Sequence, residues 1–228
     1  MGHACVVSVP IYMIDFEGST SSGILEYGVV EICAGRIKRS WTRLCHPSGP
    51  IAPHDHWAHG LSAQDLSKCL PIGDDWAFFA GLRESGVLAA HHASVEASLL
   101  KSVWPCPRLS PDFTQAANEA KAKVAQWGPW IDSLALYRRI YPQLGSYGLN
   151  ELIDQFGLMP ELKTLADKHC PPSRHTYHCA LYDALASTLL LQALFQLPDY
   201  PNATTADWIH WSKSPAKSVN DAQMVLDL

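Results

Sequence analysis

Residues 5–17 read CVVSVPIYMIDFE. Up to Asp15 the run is almost wholly apolar and β-rich, the pattern of a central strand buried on both faces. Pro10 has no N–H for a ladder, so it predicts a bulge or a strand that starts late. Alternate residues of a strand share a face, so Asp15 and Glu17 point the same way at the end of this one. Two carboxylates so placed repel and resist ionisation. A hard divalent cation gives such a pair a purpose, because Mg²⁺ and Mn²⁺ take oxygen ligands. The same spacing is common on protein surfaces, so the pair alone does not decide the chemistry.

Outward from this strand, YGVVEIC (27–33) and RIKRSWTRLC (36–45) read as two more strands, with Ala34 and Gly35 as the hairpin turn between them. Residues 46–60 form a loop rich in Pro, Gly and His. Helical patterns follow at 62–70 and 74–85, the second stopped by Gly86. VLAAH (87–91) is a short buried strand, and 93–103 is helical. Segment 105–128 is polar and Ala/Lys-rich, and is expected to be an insertion made of a loop and one amphipathic helix. WIDSLAL (130–136) is a strand running into a helix; 148–156 is a short helix; 179–196 is the longest and most apolar one. Hairpin strands followed by alternating strands and helices predict a mixed-sheet α/β domain. That domain is expected over residues 1–197, with the Pro/Ser/Asn-rich stretch 198–228 as an extension or tail.

Composition narrows the class. The 228 residues are 47% hydrophobic and 17% charged, which excludes a disordered chain. No apolar run reaches the roughly 18 residues of a membrane helix, and the first strand lacks the flanks of a signal peptide. The seven cysteines are scattered with no C-x-x-C pair, as in reduced proteins. A cytoplasmic location is the expectation. The net charge of −5 argues against binding nucleic acid through a general basic field. Two divalent cations held by carboxylates would cancel most of that charge. Arg36, Lys38, Arg39 and Arg43, and also Arg138 and Arg139, are local basic groups that could steer an anion or simply face water.

Three further residues qualify as chemical. Asp183 sits near the start of the long apolar helix, where a carboxylate is favoured only in the first turn. His178 lies five residues earlier; on one helix the two would be roughly 140° apart. His178 is therefore expected in the loop before the helix, folded over Asp183. Glu96, in HHASVEASLL, begins a helix after the strand VLAAH, a place that also suits an ordinary helix-start glutamate.

The order of these groups is more informative than any one of them. D-x-E on the first strand, an acid after H-x-A-x-x, and H-x-x-x-x-D near the end resemble the DEDDh family of 3′–5′ exonucleases. HGLS (59–62), WIDSLALYRRIYP (130–142), SYGLNELIDQFGL (146–158) and YHCALYDALAST (177–188) resemble further blocks of that family in the same order. The resemblance covers about residues 8–196 and implies a ribonuclease H-like α/β fold. Its mixed five-stranded sheet would hold three antiparallel strands and then two parallel ones, with helices on both faces.

The resemblance also implies roles. Asp15, Glu17, Asp183 and Glu96 would hold two Mg²⁺ or Mn²⁺ ions, and His178 would be the general base. Phe16, Gly18, Ser19, Thr20 and His92 would lie by the nucleotide. The substrate would be single-stranded or 3′-ended DNA, or RNA, and the product a nucleoside monophosphate. Two positions depart from the family: it has Asp where this chain has Glu96, and Asn where it has His92. An exonuclease-fold adaptor with little or no activity, binding nucleic acid or a replication partner, is the alternative reading.

Other features are weaker. His54, His56 and His59 have spacing open to zinc, but a polar loop explains them as well. Trp127, Trp130, Trp208 and Trp211 could stack bases, or pack in the core and dock the tail. The last residues, QMVLDL, resemble a bacterial sliding-clamp-binding peptide, in which Gln223, Leu226 and Leu228 would dock on the clamp.

Overall fold

The structure, a computed structural model, describes residues 9–115 and 122–213. Gln223, Leu226 and Leu228, and with them the clamp peptide, lie outside the described residues.

Strand β1 (Ile11–Ser19) begins just after Pro10, the late start that the proline predicts. It pairs antiparallel with β2 (Gly23–Cys33), which pairs antiparallel with β3 (Arg36–Leu44). The chain then forms α1 (Pro53–His59), a 3-10 turn at Ile72–Asp75 and α2 (Trp76–Ser85). Strand β4 (Val87–Ala90) enters the sheet parallel to β1, and α3 (Ala93–Val103) follows it. A two-stranded ribbon, β5 (Ser110–Pro111) and β6 (Lys123–Val124), precedes β7 (Trp130–Asp132), which lies parallel to β4. Five helices complete the domain: α4 (Ser133–Ile140), α5 (Leu149–Gln155), α6 (Met159–His169), α7 (Ala180–Phe195) and α8 (Thr205–Trp211). The sheet order is β3-β2-β1-β4-β7, the mixed five-stranded sheet that the resemblance implied.

The two-residue period of β1 divides the core. Ile11 and Met13 face α7 with Val30 and Ile32 of β2. Tyr12, Ile14 and Phe16 face the opposite way, into an aromatic cluster with Phe79 of α2 and Trp104. By the same alternation Asp15 and Glu17 stand on the α7 side. Helix α7 is buried along most of its length because it packs across β1 and β2. Gly28, opposite Asp15 in the ladder, permits this close approach: a Cβ there would fall onto the Ala180 carbonyl and Leu181 Cα.

The helix expected at 62–70 fails for a local reason. Segment 62–70 is turns, not helix. Ser62 and Asp65 bond each other's backbone through their side chains, which competes with helical hydrogen bonds. The helix lies instead in the expected loop, at α1, with Pro53 in its first turn and Gly60 closing it in the left-handed conformation. Between 105 and 128 the described residues hold the β5–β6 ribbon and no helix; residues 116–121 lie outside the described part. The fully buried Arg83 ties this segment down by donating to the carbonyls of Pro111, Gln126 and Gly128. Beyond residue 197, α8 docks on α4 and β7. Trp208 is buried there, and Ser212 Oγ accepts the N–H of Asp132. Trp127 is a core residue whose indole donates to the Trp104 carbonyl.

Candidate active site

β1 ends in a bulge between Glu17 and Gly18, and Gly18 has φ 131, a conformation that side chains rarely adopt. Just before this bulge β1 presents Asp15 and Glu17 toward the start of α7. His178 precedes that helix with φ 62, and its backbone N–H donates to Asp183 Oδ2 at 2.9 Å. The loop is thus folded over the acid, as the spacing predicted. Glu17, His178 and Asp183 each offer a ligand atom within 4.8 Å of the others. Glu17 and Asp183 are buried, and His178 is exposed.

The electrostatics of the acids are coupled. Burial pushes Glu17 up to about 9, helped by Asp183 and Glu26 and opposed by Arg174. Glu96 rises to about 8, chiefly through burial, while a hydrogen bond from the Phe16 backbone pulls it down. Asp183 rises to about 7, again through burial first, with the His178 N–H opposing. Asp15 is raised well above the carboxylate range by burial, and then by Glu96, Asp183 and Glu17. Glu96 Oε2 and Asp183 Oδ1 are buried with no hydrogen-bond partner among the described residues. Buried polar atoms are seldom left bare, and oxygens in a raised-pKa cluster fit a hard cation. The donor set therefore suits a divalent metal.

Two residues of this region escaped the sequence reading. Glu26 faces Glu17 directly across the β1–β2 ladder, is 2% exposed, and forms an ion pair with Arg174. It also accepts the N–H of Ala180, the first residue of α7, at 3.2 Å. Arg174 reaches further, donating to the carbonyls of His59 at 3.0 Å and His178 at 3.4 Å. One ion pair thus ties β2, the end of α1 and the His178 loop together. The strand register would have pointed to Glu26; no local pattern marks Arg174.

Other expected site residues are placed differently from the acids. The Phe16 ring is packed against Phe79 at 5.6 Å, so its backbone, not its ring, is turned to the site. Ser19 bonds Ser22 across the turn, and Thr20 lines a separate cavity with His46 and Ser48. His92 has φ 83 and is the N-cap residue of α3, where its backbone N–H donates to Asp132 Oδ1. Among the described residues His54, His56 and His59 form no common ligand group: His56 and His59 bond Leu61, and His54 pairs with Asp55.

Solved structures match this fold over most of the chain. Exonuclease X in complex with 5′ overhanging duplex DNA aligns with TM-score 0.62 and 21% identity, covering 89% of this chain and 99% of that one. The nuclease domain of 3′hExo, a DEDDh family member, bound to rAMP, aligns with TM-score 0.57 and 13% identity, over 85% of this chain and 94% of that one. This chain has the DEDDh exonuclease fold. Escherichia coli exonuclease I in complex with a dT13 oligonucleotide shares it at TM-score 0.57 and 11% identity, over 83% of this chain and 41% of that one. No family model and no curated protein matches the sequence. The exonuclease fold is thus retained here at low sequence identity. Among the described residues no helix is long and apolar enough to cross a membrane.

Proposed function

We propose that this chain is a metal-dependent 3′–5′ exonuclease, releasing nucleoside 5′-monophosphates from the end of a DNA or RNA strand. The observation that carries the reading is the convergence of Glu17, Asp183 and His178 within 4.8 Å. Fold similarity supports it as analogy.

Asp15, Glu17, Glu96 and Asp183 would hold two Mg²⁺ or Mn²⁺ ions. When bound, such ions neutralise the carboxylates and supply positive charge to the attacking and leaving oxygens of an in-line displacement. His178 is exposed at the mouth of the cluster, where its imidazole can take a proton from water. The water oxygen bonds to the phosphorus of the last nucleotide, the bond from phosphorus to the neighbouring 3′ oxygen breaks, and that oxygen takes up a proton. Asp183 and Arg174 hold the His178 backbone from two sides, which fixes the loop while leaving the ring free.

The test is degradation of 5′-labelled single-stranded DNA and matching RNA with Mg²⁺, Mn²⁺ or EDTA, beside an Asp15→Asn control. A metal-dependent ladder that shortens from the 3′ end, absent in the variant, is the expected result. Intact substrate under every metal overturns the proposal and leaves the adaptor reading, with Glu96 as the residue that displaced the chemistry.

A further inference from the structure

β1, β4 and β7 run parallel, so their carboxyl ends lie along one edge of the sheet. The acidic cluster stands at the end of β1. Two strands away, roughly 10 Å by ordinary strand spacing, Asp132 ends β7. Beside it lies a cavity of about 500 Å³, lined by His92, Asp132, Arg138, Arg139, Trp211 and Lys213. It opens against the start of α3. Glu96 lies one turn further along that helix, roughly 6 Å from His92 along the axis.

The cavity is basic in a chain whose net charge is −5. Its single acid is already engaged: Asp132 accepts the N–H groups of His92 at 3.2 Å, Ala93 at 3.0 Å and Ala135 at 3.1 Å. Arg138 is braced over the Tyr147 ring, and Arg139 and Lys213 are exposed. None of the three cations has an ion pair within 4.0 Å among the described residues. Trp211 is half-buried and held by Trp208 and Tyr200, with ring centroids 5.1 Å away in each case. Unneutralised cations beside a fixed aromatic ring match the chemistry of a single nucleic-acid strand, which offers phosphates and stackable bases. An ordinary solvated face explains scattered cations, but not their gathering around a concave aromatic wall.

We propose that this cavity is a second nucleic-acid contact, holding the strand upstream of the bond to be cut. Arg139 and Lys213 bind backbone phosphates there, and Trp211 stacks a base. The inference rests on the exonuclease reading for the direction of the strand.

The test has two arms. Anisotropy of a fluorescein-labelled oligothymidylate in EDTA, across a salt series, reads binding without cleavage. Hydrolysis of the p-nitrophenyl ester of thymidine 5′-monophosphate with Mn²⁺ reads the catalytic centre with no upstream strand. The pair Arg139→Ala and Lys213→Ala is expected to weaken oligonucleotide binding by about tenfold or more and to flatten the log–log salt slope by about 1.4, roughly 0.7 per lost phosphate contact. Ester hydrolysis should stay within about twofold of wild type, and Trp211→Ala should weaken binding without changing the salt slope. Unchanged affinity and slope overturn the proposal, as does an equal loss on both substrates. A wild type that binds the strand but cleaves neither substrate overturns the exonuclease reading instead, and the binding arm still reports on the cavity.

Discussion

Asp183 Oδ2 accepts the His178 backbone N–H at 2.9 Å, while Asp183 Oδ1 is buried and bare. One carboxylate thus anchors the loop with one oxygen and offers the other to a ligand. Asp183→Asn keeps the shape and an acceptor for His178 but removes the charge. It should keep the fold, with Tm unchanged or raised, and lower kcat by about 1,000-fold, the order expected when several kcal/mol of metal-centred stabilisation is lost. Wild-type turnover in this variant would remove Asp183 from the metal site.

Glu96 stands where the exonuclease family that the sequence resembles has Asp. It is 6% exposed and leaves Oε2 bare, and its charge acts on Asp15. Glu96→Asp withdraws the carboxylate by one methylene and shortens its reach toward Asp15 and Asp183. Asp at this position should therefore lower activity, by about 10- to 100-fold for about 1.5–3 kcal/mol of lost transition-state stabilisation. A rise in kcat on the same oligonucleotide would show that Glu96 is a defect.

Without metal, stability should depend on pH in a particular sense. Glu17, Glu96 and Asp183 have folded values near 9, 8 and 7, all above their ordinary ones. The folded state therefore binds more protons than the unfolded state between about pH 4 and 9, and stability falls as pH rises through that window. In EDTA, Tm should drop steadily from pH 6 to pH 9. Mn²⁺ should raise Tm most at the alkaline end, and binding should release protons. A Tm in EDTA that is flat or climbs over this range contradicts the coupled acidic cluster.

Arg174→Ala would leave Glu26 buried without its cation. The expected loss is about 3–5 kcal/mol of stability, since breaking a buried pair strands a charge. Arg174→Lys should recover part of the stability but not the contacts to both carbonyls, because only Arg carries a planar fork of donors. Urea unfolding measures the first effect. Hydrogen exchange at His178 measures the second, and protection equal to wild type in the Lys variant would sink the loop-anchoring role.

Gly28→Ala should push α7 away from β1, because the new methyl group meets the backbone at Ala180. Overpacking of this kind costs about 1–3 kcal/mol or more, and Asp183 rides on the displaced helix. Activity should fall further than stability alone explains. An unchanged KM for Mn²⁺ would show that the helix does not need this approach.

The sequence by itself determined the acidic pair on β1, the breaks at Pro10 and Gly86, the helices α3 and α7, and the loop position of His178. These follow from local rules: a period of two along a strand, a period of 3.6 along a helix, and the special backbones of Pro and Gly. Motif order extended them to the five-stranded sheet. Local reading failed where two patterns competed, as at Ser62 and Asp65, whose side chains close turns where the apolar spacing suggests helix. Only the tertiary structure brought Glu26 opposite Glu17, since that depends on the antiparallel register. It alone paired Glu26 with Arg174, 148 residues away, and gathered Arg139, Trp211 and Lys213 around one cavity. Such groups are adjacent in no local period; packing of distant segments makes them neighbours, and burial then sets their charge.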